Sequence, residues 1–114
     1  MDAASIYSQT LSQLDATELA MTSPQGDALI QAAPTPADHQ NAVQMLIDVH
    51  EARLALGNAT LQSIADQLKA NEAAITDGTK AVQNALNKLD NLTKILNTVN
   101  SLLQIVAQIV PLIP

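Results

Sequence analysis

A chain of 114 residues that is 47 % hydrophobic and 14 % charged bounds one globular domain rather than a disordered segment. Its formal net charge of −6, with only five Lys and Arg together, excludes ordinary binding to a phosphate backbone, so no nucleic-acid partner is expected. The absence of Cys excludes disulfides, thiolate nucleophiles and Cys-ligated zinc, and with no Phe or Trp and Tyr7 alone, the interior has to be aliphatic.

Residues 1–11 hold no basic group and no apolar run, so no cleavable signal peptide is expected. Location stays undecided between the cytoplasm and export by a signal-independent route. A first helix is predicted over about residues 2–21, opened by Asp2 and presenting Ile6, Tyr7, Leu11, Leu14 and Met21 on a broad apolar face. Ser23-Pro24-Gln25-Gly26 stops it, because Pro24 disfavours the α conformation at Ser23 and Gly26 tolerates a turn. A linker over residues 22–35 follows, in which residues 27–33 form a short helical turn that tucks Leu29 and Ile30 inward.

The second helix starts with Thr35 as cap, Pro36 at the first helical position and Asp38 in the first turn, which satisfies free amides and complements the helix dipole. Its apolar seam recurs at steps of three and four through Val43, Ile47, His50, Leu54, Gly57, Leu61, Ile64, Leu68, Asn71 and Ile75. Gly57-Asn58 is a candidate break, but a loop there would keep the heptad register only by accident. One helix over about residues 36–75, roughly 60 Å long, is therefore predicted. Thr76-Asp77-Gly78-Thr79 is the strongest later turn signal, and the chain is predicted to reverse at residues 76–79.

The third helix, about residues 79–110, continues the seam through Val82, Ala85, Leu89, Leu92, Leu96, Val99, Leu103, Val106 and Val110. From Ile95 onward Leu102, Ile105 and Ile109 widen the apolar face, while Asn97, Ser101, Gln104 and Gln108 form an uncharged polar stripe. Pro111-Leu112-Ile113-Pro114 ends the helix in a short apolar tail.

The fold class that follows is all-α: a long antiparallel, coiled-coil-like helical hairpin. The shorter first helix packs at the end that holds the start of helix two and the C-terminus. The alternative is one continuous helix from Pro36 to Val110, about 110 Å long, stable only in a parallel oligomer.

No catalytic, cofactor or metal site is expected. His39 and His50 stand about 16 Å apart along a helix, too far for one ion, and the Ser and Thr residues have no base within reach. The expected function is a non-enzymatic self-assembly or protein–protein interaction module, with a homo-oligomer or a helical protein as partner. Leu61, Ile64, Leu68, Ile75, Val82 and Leu89 would form the contact, since a two-helix end cannot cover its own apolar residues. The alternative is a membrane-active protein that inserts the uncharged last helix, with Ile95, Leu102, Ile105 and Ile109 facing lipid.

Overall fold

The computed structural model describes residues 2–110, so the apolar tail expected at Pro111-Leu112-Ile113-Pro114 lies outside the described residues. The described residues form six helices and no strand: α1 (Ala3–Thr22), α2 (Pro24–Gln31), α3 (Pro36–Asn58), α4 (Leu61–Ala70), α5 (Glu72–Leu86) and α6 (Leu92–Ile109). The longest dimension is 42 Å and the radius of gyration 13.9 Å, near the roughly 13 Å typical of a folded 100-residue domain. Neither a hairpin with 60 Å arms nor a 110 Å rod fits inside those dimensions.

Local chemistry sets the first half of the chain. Asp2 caps α1 by accepting a hydrogen bond from the Ser5 amide at 2.8 Å, and that bond, added to by the Ser5 side chain, holds its carboxyl below the usual carboxylate range. Ser23 ends α1 and starts α2 at once: its hydroxyl donates to the Ala20 carbonyl and accepts from the Gly26 amide at 3.1 Å, with Pro24 at the first helical position. Thr35 does the same for α3 through the Asp38 amide at 3.1 Å, ahead of Pro36.

Two predicted features are corrected. The segment 36–75 is not one helix: it breaks at Ala59-Thr60, both extended, and kinks again at Asn71. At that kink the Asn71 side-chain amide donates to the Gln67 carbonyl at 2.8 Å and competes with the backbone ladder. The heptad register carries across the first break, which is why the seam concealed it.

Nor does the chain turn at residues 76–79, which lie inside α5. Gly78 serves close packing rather than a turn: a Cβ there would meet Leu102 Cδ1 at 3.3 Å and Ile105 Cδ1 at 3.6 Å, so its missing side chain lets α5 approach α6. The reversal comes at residues 87–91, where Leu89 takes a left-handed φ of 50° and the Asn91 side chain caps α6 through the Lys94 amide.

The helices close a ring. α1 and α6 each pack on both α3 and the bent α4–α5 arm, so α3 and that arm lie across the bundle from one another. The core between them holds Ile6, Leu14, Met21, Met45, Val49, Leu56, Leu68, Ile75, Val82, Ile95, Val99, Leu102 and Val106, all nearly or fully buried. α1 therefore runs along α3, α4 and α5 instead of sitting at one end of a hairpin.

Its inner face is more polar than the apolar spacing suggested, with Thr10, Gln13 and Thr17 buried. These groups are satisfied locally: Thr10 and Thr17 hydroxyls donate to the Ile6 and Gln13 carbonyls at 2.7 and 2.8 Å, and Gln13 donates to Thr17 Oγ1 at 3.3 Å. Tyr7 spans to α3, where its hydroxyl donates to the Leu56 carbonyl at 3.0 Å, an acceptor in the last turn of that helix.

Candidate functional site

The site grows out of a peculiarity of α3. Ala42, Met45, Val49, Ala52 and Leu56 recur at steps of three and four and are buried in the core. Val43, Ile47, His50, Leu54 and Gly57 recur at the same steps, one register over. At 100° per residue the two stripes point about 140° apart, so the second faces away from the bundle. Four of the five exposed large hydrophobics in the described residues are seam residues of that outer line: Val43 (41 %), Ile47 (46 %), Leu54 (47 %) and Leu61 (36 %) at the start of α4. Single exposed aliphatics are ordinary; a heptad-spaced row of them is not.

The chain thus distributes the predicted contact residues differently. Ile64, Leu68, Ile75 and Val82 are buried in the chain's own core, Leu89 packs against that core within the 87–91 turn, and Leu61 alone is exposed. The residues proposed to face lipid are also interior: Ile95, Leu102 and Ile109 are buried and Ile105 is half-buried, while Asn97, Ser101, Gln104 and Gln108 are exposed. Among the described residues no helix is long and apolar enough to cross a membrane. The second stripe is the signal that the heptad seam masks in the sequence. Ala42, Met45, Val49, Ala52 and Leu56 would have marked α3 as a helix with two apolar faces, only one of which a bundle can cover.

Polar groups border the outer seam on the side of α1. Glu18 Oε1 lies 2.7 Å from His50 Nδ1, and its Oε2 lies 3.1 Å from Arg53 Nη2. A carboxylate so close requires a proton on Nδ1, so His50 donates to Glu18, and the 3.2 Å approach of Arg53 Nη2 to the same nitrogen is a contact between two donors. Arg53 also keeps its Nε buried without a hydrogen-bond partner. The cluster ties α1 to α3 and uses the charge of Arg53 internally. On the opposite border stands Glu51, exposed.

At the C-terminal end of the seam the surface opens into a groove of about 430 Å³ between the two helices, lined by Leu11, Ser12 and Asp15 of α1 and Arg53, Leu54, Gly57 and Asn58 of α3. Gly57 makes the notch, since a Cβ placed on it would meet nothing within 4 Å. A smaller groove of about 280 Å³ lies between α3 and α6, where Asp38, Asn41, Gln44, Asp48, Thr93, Asn97 and Asn100 give it an oxygen- and amide-rich lining. Among the described residues no group of three or more His, Cys, Asp or Glu is placed to hold a metal ion.

No family model, curated protein or solved structure matches the chain at a significant level.

Proposed function

We propose that this protein is a helix-docking module, whose outer α3 seam receives an amphipathic helix of another protein. One observation carries the reading: an aliphatic row at heptad spacing, Val43–Ile47–Leu54 on α3 with Leu61 at the start of α4, remains uncovered, while the later aliphatic seam residues from Ile64 to Val106 are buried or half-buried. From Val43 to Gly57 the seam is about 21 Å long. A helix of some four turns would cover it. A strip that long and about 10 Å wide falls well short of the ~800 Å² per partner of a standard interface, so a micromolar, reversible complex is expected.

Charge favours a partner over a second copy. Two α3 seams paired antiparallel would match Ile47 with Gly57 and His50 with Leu54, with the two-fold axis at the level of Ala52. Glu51 would then face Glu51 of the other copy, and two chains of charge −6 would be brought together. A helix with Lys or Arg beside its aliphatic face meets Glu51 with the opposite sign.

The test uses a 21-residue synthetic helix with Leu at heptad positions and Lys on the flanks, followed by fluorescence anisotropy. Binding to the wild-type chain is expected at micromolar concentration. The double substitution Ile47→Asp and Leu54→Asp should weaken it about ten- to a hundredfold, since docking has only the exposed half of each aliphatic left to bury, roughly 0.7–1.5 kcal/mol apiece. Because both side chains are already exposed, the thermal midpoint should hardly move. Equal binding by both proteins would reject the reading. A wild-type dimer in sedimentation equilibrium that the double variant abolishes would place a second copy on the seam and reject the separate partner.

A further inference from the structure

Resting on that docking reading, we infer that the groove at Gly57 is an anchor subsite for one Lys or Arg side chain of the docked helix. Leu54 and Gly57 are themselves seam residues, so the groove opens in line with the helix that would lie on the seam. In a row of knobs a glycine is a hole, and here nothing lies within 4 Å of the place a Cβ would occupy. A side chain longer than the seam's own aliphatics fills it.

The lining specifies what that side chain is. Leu11 and Leu54 offer apolar wall to a methylene stem, while Asp15 is exposed at the rim and has no ion pair among the described residues. Arg53 also lines the groove, but its guanidinium is matched by Glu18 at 3.1 Å and leaves Asp15 unbalanced. The groove further sits at the C-terminal end of α3, where the negative end of the helix dipole favours a cation. A stem of methylenes with a positive head satisfies all three features; an aliphatic side chain leaves Asp15 unpaired, and an acidic one is repelled. The net charge of −6 draws such a partner from a distance.

The experiment steps a single Lys along the seam-facing positions of the synthetic Leu helix and compares each peptide with a twin that carries norleucine instead, which keeps the stem and removes the ammonium. At one position the Lys peptide should bind the wild-type chain about five- to tenfold tighter than its twin, the range of a partly shielded charge pair. Asp15→Asn should erase that advantage and leave the norleucine peptide's affinity unchanged. Gly57→Leu should weaken both peptides about tenfold by filling the notch while raising the thermal midpoint, because the new side chain meets open space and leucine is the better helix former. If Lys and norleucine bind equally at every position, or if Asp15→Asn keeps the advantage, the anchor is overturned while docking stands. If neither peptide binds, docking itself is overturned.

Discussion

Ile75→Ala should destabilise the protein by about 3 kcal/mol in chemical denaturation, whereas Leu54→Ala should cost less than about 1 kcal/mol. The two residues occupy the same column of the heptad, so a single long hairpin would make them comparable. In this bundle Ile75 is fully buried on α5 while Leu54 stands 47 % exposed on the outside of α3. Removing Ile75 deletes buried methyl groups and leaves a cavity that close-packed neighbours fill only in part. Removing Leu54 trades one solvated surface for a smaller one. Equal losses would contradict the break at Ala59-Thr60, which is what sends the two halves of the seam to different environments.

The second large effect concerns glycine. Gly26→Ala should destabilise by about 2–3 kcal/mol, although alanine is the better helix former by about 1 kcal/mol and Gly26 lies in helix α2 without a positive φ. An ideal Cβ on Gly26 would overlap the Ala20 carbonyl oxygen and stand 2.7 Å from Met21 Cα, so the backbone of α2 would have to lift off the end of α1. Both sides resist that movement: Met21 is 1 % exposed and Ile30 anchors α2 in the core at 4 %. The same substitution at Gly57 meets open space and should stabilise by up to about 1 kcal/mol. The opposite signs, measured side by side in thermal denaturation, separate a glycine held in close backbone contact from one that stands in open space.

Much of the first half of the chain was legible because its signals are local. Asp2, Ser23-Pro24 and Thr35-Pro36 cap helices with their own hydroxyl and carboxylate groups, and those bonds depend on nothing distant. The second half hides its breaks for a physical reason. A three–four spacing constrains which residues share a face while the chain is helical, yet it is silent about a break that happens to preserve phase, as the one at Ala59-Thr60 does. Asp77-Gly78 carried the strongest turn composition and proved helical because Gly78 answers to Leu102 and Ile105, neighbours that only tertiary packing brings there. The true reversal at residues 87–91 held Asn87, Asp90 and Asn91, and Leu89 within it continued the apolar rhythm and hid it. The outer α3 row was visible as a seam; that it is the uncovered part follows from the ring of helices alone.

The most direct measurement is a titration of the isotopically labelled protein with the Leu/Lys helix, followed by amide chemical shifts. Changes are expected along one line on α3, at Val43, Ile47, His50, Leu54 and Gly57, with companions at Leu11 and Asp15 on α1 and none elsewhere. Shifts centred on α6 around Leu102 and Ile105, or none along α3 at saturating peptide, would contradict docking on the seam.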